Sequence, residues 1–224
     1  MARDNPPKIR QRSQLERKKT LRASYDRVLI VSEGSRTEPL YFKEIRNTYR
    51  LQTANVEVHP SALGTEPIQV VRYAKQLFMA GDPNKRVRAK AFEKVFAIFD
   101  RDEHKSYFDA LKLAESLDGK LRNDAKQPVI FRAIASVPCF ELWLLLHYED
   151  IRHPLHRAEV LARLKQFIPC YVKGASGSFA ITKANLGIAS QRARSLAALS
   201  SAFDATEPST DIVELVMLLI ALGK

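Results

Sequence analysis

Four carboxylates of the sequence follow apolar runs closely. Glu33 comes directly after the first apolar run of the chain, and Glu38 stands five residues later. Asp100 and Asp102 come directly after a second apolar run, at 94–99. Mg²⁺ prefers carboxylate oxygens among protein ligands, and ions held in this way can stabilise both the attacking and the leaving oxygen of a phosphodiester. The spacing therefore indicates metal-dependent chemistry on a phosphodiester.

These acids stand where strands are expected to end. The runs at 28–31 and 94–99 are short and rich in β-branched or aromatic residues, so they predict buried strands. Ligands of open α/β sheets gather at the carboxyl ends of the strands. Gly34 allows the backbone a tight turn or a close approach beside Glu33. We therefore expect the acids to meet at one edge of a sheet.

Strands and helices alternate over the first 150 residues. The pattern predicts strands at 27–32, 55–59, 94–99 and 129–134, and helices at 37–49, 66–80, 106–123 and 139–147. Later helices are predicted at 157–168, 183–202 and 210–222, with a flexible loop at 170–182. Helical connections between strands imply parallel pairing. We predict an α/β fold in which a mainly parallel four-stranded sheet is flanked by helices, with a core over 25–150 and a helical extension packed on it over 151–224.

Positive charge is concentrated at the amino terminus. The net charge is +11, and residues 1–22 hold eight basic side chains against two acidic ones. We interpret residues 1–24 as a flexible basic arm that suits nucleic acid. A solvated tail that only aids solubility is the alternative. Candidate phosphate contacts in the arm are Arg10, Arg12, Lys18 and Lys19.

Other candidate site residues are spread over the chain. Glu141 interrupts an otherwise apolar helix, where it could face the sheet edge as a ligand or base; an acid favoured in a first helical turn is the alternative. Further basic residues could contact phosphate or be merely solvated: Arg36, Lys85, Arg86, Arg88 and Lys173.

Several classes of protein are disfavoured. The sequence contains no run of 18 apolar residues that would indicate a membrane span. It also shows no apolar leader that would indicate a signal peptide. Two cysteines suit a reduced, cytoplasmic protein. A phosphate-binding P-loop and zinc spacings are both missing from the sequence.

Two motifs together resemble the Toprim domain of topoisomerases, primases and OLD-type nucleases. These are the E-G-x-x-T-E pattern at 33–38 and the D-x-D pattern at 100–102. The segment 138–147, read as P-x-F-E-x-W-L-L-L-H, is similar to the RloB-like family. The blocks 171–173 and 208–212 resemble later segments of the same family.

The resemblance implies a catalytic site and a biological setting. It implies Mg²⁺ or Mn²⁺ bound by Asp100 and Asp102, with Glu33 as a ligand or general acid/base and Glu38 as a further metal-holding residue. One or two ions remain open. It also implies a metal-dependent nuclease that serves prokaryotic anti-phage or restriction-associated defence, beside an ABC- or SMC-type ATPase partner. Related effectors cut nucleic acid, including tRNA, and the choice between DNA and RNA is open.

Two other functions are consistent with parts of the pattern. Aspartyl-phosphate phosphohydrolases also carry D-x-D, but after their first strand rather than their third. A non-catalytic module that binds nucleic acid or docks the ATPase would need the basic arm alone. Such a module gains nothing from carboxylates near its phosphate track, because they repel the ligand unless a metal neutralises them.

Overall fold

The computed structural model describes residues 26–52, 55–101, 105–199 and 208–224. Five strands run β1 Val28–Ser32, β2 Val56–Pro60, β3 Lys94–Asp100, β4 Ile130–Val137 and β5 Ser209–Thr210. Eight helices run α1 Thr37–Thr48, α2 Pro67–Ala80, α3 Tyr107–Leu117, α4 Glu141–Leu145, α5 Arg157–Phe167, α6 Ser178–Thr182, α7 Leu186–Leu199 and α8 Ile212–Leu222, and a 3₁₀ turn at Lys183–Asn185 precedes α7.

The strands form one sheet in the order β2-β1-β3-β4-β5. The pairs among β2, β1, β3 and β4 are parallel, and β5 pairs antiparallel with the end of β4. The predicted α/β class and the mainly parallel sheet are confirmed. The expected number of strands was four; β5 has only two residues, too few to produce a periodic pattern.

Each face of the sheet is covered by a separate apolar cluster. Val28 and Ile30 of β1 point into the cluster that holds α1, α4 and α8, while Leu29 and Val31 point into the cluster that holds α2 and α3. Burial on both faces is usual for parallel strands, because helical crossovers lie on the two sides. Strand β1 is therefore apolar from Val28 to Val31, and polar residues begin with Ser32 at its carboxyl end.

Some helix boundaries differ from the sequence predictions. Helix α3 ends at Leu117 although Leu121 continues the apolar spacing. Gly119 adopts a left-handed φ of 69°, which glycine accommodates at the end of a helix. Residues 178–182, predicted within a loop, form α6 instead. No helix in the described ranges has the length and apolar character needed to cross a membrane.

His147 is a buried histidine that follows α4. Its Nδ1 lies 2.9 Å from the carbonyl oxygen of Trp143, to which it donates, and its Nε2 has no hydrogen-bond partner in the described structure. Burial lowers the pKa of His147 from 6.5 to about 4. The folded protein thus holds this imidazole neutral under conditions in which an unfolded chain would begin to protonate it.

The pKa shift of His147 predicts a loss of stability in acid. Between pH 6.5 and 4 the unfolded chain binds a proton that the folded chain does not. The free energy of unfolding is therefore unaffected by this group above pH 6.5, and it falls by about 3 kcal/mol as the pH is lowered towards 4. Urea unfolding of the wild type and of His147→Gln across this range checks it. Equal pH slopes for the two proteins would contradict it.

Candidate active site

The ends of β1 and β3 are joined through Glu33. Its backbone N–H donates to the carbonyl oxygen of Ile98 over 2.8 Å, and its Oε2 accepts from the backbone N–H of Asp100 over 3.0 Å. This follows from parallel pairing, in which Ser32 lies opposite Ile98. The two strands therefore place the carboxylates of Glu33 and Asp100 at the same edge of the sheet.

Glu38 reaches this edge from the first turn of α1. Its side chain is buried and folds back onto Gly34. A Cβ on Gly34 would lie 2.1 Å from Oε2 of Glu38, so any side chain there would displace the carboxylate. Gly34 does not adopt a positive φ in the described structure. Glycine is needed here because of the space that Glu38 occupies.

Glu141 is a fully buried acid at the start of α4, with 0% of its surface exposed. Its Oε1 accepts from the Tyr171 hydroxyl over 3.1 Å and lies 3.4 Å from Nζ of Lys173. Its Oε2 has no hydrogen-bond partner within the described residues. A buried carboxylate oxygen without a donor is costly, so this atom favours binding of a cation or a donor from outside the chain.

Four acids lie close enough to interact electrostatically, and we call them the acid cluster: Glu33, Glu38, Asp100 and Glu141. Burial is the main cause that raises the pKa of Asp100 well above its usual range, and the other three acids add to it. Burial also raises the pKa of Glu38, with a further contribution from Glu141. Lys173 lowers the pKa of both groups. Its ammonium group is therefore the opposing charge at the cluster.

Lys173 is presented by a segment that crosses the site, which we call the strap (residues 171–180). The side chain of Lys173 is 47% exposed, so its ammonium group reaches both solvent and Glu141. Gly174 of the strap lies against Arg36, whose Cβ would be 3.2 Å from a Cβ at that glycine. The strap therefore brings Lys173 to the rim of the acid cluster and packs against Arg36, the residue that precedes α1.

Glu44 of α1 fixes the far end of the strap. Its carboxylate accepts from the backbone N–H groups of Phe179 and Ala180 over 3.0 and 3.4 Å, and from that of Gly177. These donors begin α6 and would otherwise lack partners. Glu44 thus connects α1, which carries Glu38, to the segment that carries Lys173.

We expect Glu44→Ala to loosen the strap. Loss of an acceptor shared by several backbone donors should lower the free energy of unfolding by about 1 to 2 kcal/mol. Chemical denaturation checks this, with Asn47→Ala, an exposed change on the same helix, as the control. Equal stability of the two variants would contradict the role of Glu44.

The donor chemistry of the acid cluster fits a hard divalent cation. The oxygens that could act as ligands belong to carboxylates, and one of them has no partner in the described structure. Among the described residues, no three His, Cys, Asp or Glu side chains converge closely enough to form a complete metal site. Asp102, the second acid of the D-x-D pattern, lies outside the described residues. The candidate ligands in view are Glu33, Glu38, Asp100 and Glu141.

The predicted phosphate contacts divide into separate groups. Lys173 lies at the acid cluster, and Arg36 lies against Gly174 of the strap. The residues Lys85, Arg86 and Arg88 do not, because they follow α2, which returns the chain to the opposite edge of the sheet. The arm residues Arg10, Arg12, Lys18 and Lys19 lie outside the described residues.

Sequence reasoning missed the supporting roles of Tyr171 and Glu44. Tyr171 belongs to a block that resembles the family, but only the structure shows that its hydroxyl donates to Glu141. Glu44 is one polar residue among several on an amphipathic helix. The only signal for Tyr171 was its position two residues before Lys173, and no signal in the sequence pointed to Glu44.

Comparison with known proteins gives a family for the chain. A family model described as "RloB-like protein" matches residues 28–219. No curated protein and no solved structure matches the chain. The matched span contains all four residues of the acid cluster and the strap.

Proposed function

Because the chain belongs to the RloB-like protein family, and because its acid cluster lies at the carboxyl edge of a parallel sheet, we propose that it is a metal-dependent nuclease. The observation that carries the proposal is the burial of Asp100 and Glu141 beside two other carboxylates, with Lys173 as the opposing charge. Such an arrangement costs stability unless a cation is bound. Binding of a divalent cation at this site would offset that cost.

The acid cluster would hold Mg²⁺ or Mn²⁺ through Asp100 and Glu33, with Glu38 and Glu141 in support. A bound ion of this kind would activate water and offset the charge of the phosphate oxygens. Asp102 follows Asp100 by two residues in the sequence and is the further ligand that we propose. Without a cation the same carboxylates would repel a phosphate.

The chain's own groups would position the substrate. Lys173 can donate from its ammonium group to a phosphate oxygen while it remains close to Glu141. The exposed Arg36 lies under the strap and can contact the next phosphate. The hydrogen bond from the backbone of Asp100 holds the Glu33 carboxylate at this edge of the sheet. There the carboxylate could accept a proton from the attacking water. Preorganised charged groups of this kind stabilise the charge that develops on the phosphate oxygens in the transition state.

The proposal extends to a biological role through the resemblance of the motifs. The E-G-x-x-T-E and D-x-D patterns support a Toprim-type site related to that of OLD nucleases. On that basis we propose an effector of prokaryotic anti-phage defence that works with an ABC- or SMC-type ATPase. Cleavage of DNA or of RNA, including tRNA, would serve this role.

A substrate panel tests the proposal. The full chain is incubated with plasmid, single-stranded DNA and tRNA in Mg²⁺, in Mn²⁺ and in chelator, with and without a neighbouring ATPase. Cleavage that requires the divalent cation is the expected result. Binding that persists in chelator, with no cleavage under any of these conditions, would instead show a non-catalytic nucleic-acid-binding module.

A further inference from the structure

The amino ends of the strands carry a second charged surface, at the edge of the sheet opposite the acid cluster. The loops after α1, α2 and α3 each return the chain to the start of a strand, so they share this edge. Six exposed basic residues of these loops make up what we call the basic face: Arg50, Arg86, Arg88, Lys90, Arg122 and Lys126.

The loops of the basic face are held together by hydrogen bonds around Arg27. Its guanidinium lies 2.6 Å from Glu93 and 2.7 Å from Asp124, and the backbone N–H of Asp124 donates to the carbonyl oxygen of Lys90 over 2.7 Å. Two acids of this edge are therefore already paired with Arg27. Within the described ranges, none of the six basic residues forms an ion pair, so their charge faces solvent.

The backbone of the basic face gives an independent observation. Among the described residues, the non-glycine residues with positive φ are Arg50, Arg86, Lys90 and Lys126, at 55°, 59°, 54° and 61°. All four belong to the basic face, although Lys and Arg make up only 36 of the 224 residues. Glycine adopts this conformation without the steric cost that other residues bear. A basic side chain is thus present at each position where glycine would be easier to accommodate.

We propose that the basic face is a second nucleic-acid site, which binds the phosphate backbone away from the acid cluster. Strained backbone conformations cluster at functional sites, and exposed cations outside ion pairs fit a polyanion. Residues 1–24, which hold eight basic side chains and lie outside the described residues, precede β1 in the sequence, and β1 begins at this same edge. The proposal stands whether or not the acid cluster cuts its ligand.

The two sites lie one strand length apart. Strand β3 extends from Lys94, near the basic face, to Asp100 in the acid cluster. Seven residues of strand span about 20 Å. A duplex rises about 3.4 Å per base pair, so about six base pairs are needed to reach both sites. The ligand class is therefore a nucleic acid of at least this length.

The test uses the full chain and the variant Arg86→Gly/Lys90→Gly/Lys126→Gly. Glycine fits the positive φ at each position, so the melting temperature should be unchanged or higher. Binding of a labelled duplex of about 20 base pairs is measured in chelator over a range of salt. We expect the Kd to rise about tenfold and the slope of log K against log salt to flatten by about 2 to 3.

A second triple variant removes the same charge elsewhere. Lys112→Gln/Lys165→Gln/Arg194→Gln changes exposed residues on α3, α5 and α7 and should bind nearly as tightly as the wild type. Equal weakening by the two triple variants would overturn the proposal. The proposal would also be overturned if the triple glycine variant lost binding only to vesicles of phosphatidylserine, since that result would assign the basic face to a lipid surface.

Cleavage assays on short and long substrates test the second site separately from the proposed nuclease function. The Arg86→Gly/Lys90→Gly/Lys126→Gly variant should cut a dinucleotide as well as the wild type, because a dinucleotide is too short to reach from the acid cluster to the basic face. It should cut the longer duplex more slowly. Equal cleavage of the long duplex by this variant and the wild type, with unchanged binding, would remove the second site and leave the nuclease proposal intact.

Discussion

Asp100→Asn is expected to abolish cation-dependent cleavage, with a fall of about 1,000-fold or more in rate. Asp100 ends β3 in a buried position, and its carboxylate is the member of the acid cluster on which the other three acids act. The amide keeps the size of the side chain and removes the charge that would hold a cation. Rate measurements in Mg²⁺ and Mn²⁺ check this expectation.

A physical readout accompanies the loss of activity. Removal of one carboxylate from a buried cluster of like charges should raise the melting temperature of the metal-free protein. The increase in melting temperature that Mg²⁺ gives the wild type should disappear in the variant. Asp109→Asn, an exposed change on α3, is the control and should alter neither property. Full activity of Asp100→Asn would show that the reaction, if any, takes place elsewhere.

Lys173→Met is expected to separate cation binding from turnover. The ammonium group lies 3.4 Å from Oε1 of Glu141 and opposes the charge of Asp100 and Glu38. Without it the acid cluster is more negative, so Mg²⁺ should bind several-fold more tightly. Cleavage should nevertheless slow by about 100-fold, because a donor to the phosphate is lost.

Tighter Mg²⁺ binding together with slower cleavage would distinguish a role of Lys173 in the reaction from a purely structural role. Calorimetric titration of Mg²⁺ gives the affinity, and single-turnover cleavage gives the rate. Lys173→Arg retains the charge and should recover part of the rate. Lys165→Met, on the exposed face of α5, should change neither quantity. Weaker Mg²⁺ binding together with slower cleavage in Lys173→Met would mean that the lysine only holds the strap in place.

The placement of Glu33 and Asp100 could be predicted from the sequence because it depends on local patterns. Each follows a short apolar run, and the helices between the runs require parallel pairing, so the two strand ends must meet. The family resemblance was likewise readable from short blocks, and the match over 28–219 confirms it. Fold and family thus followed from signals that each extend over about ten residues.

Contacts between distant parts of the chain could not be predicted in this way. Glu44 binds backbone groups more than 130 positions later, in a Gly/Ser-rich stretch that is typical of flexible loops. The fit of Glu38 against Gly34 depends on a side-chain direction that spacing does not determine. The position of Lys85, Arg86 and Arg88 depended on the direction of α2 relative to the sheet. Backbone hydrogen bonds and packing determine these three features, and neither can be read from the composition of the sequence.

The apolar cluster around α4 has a consequence for synthesis of the chain. It contains Tyr41 and Phe42 of α1 together with Ile212, Leu215 and Leu219 of α8, all buried. The wall beside Glu38 is therefore incomplete until residues 212–222 have emerged from the ribosome. Strands β1 and β3, which bring Glu33 and Asp100 together, precede this segment, so we expect a nascent chain to hold its acids without the apolar support of α8. We therefore expect a nuclease of the kind proposed to reach full activity only after α8 has packed against α1.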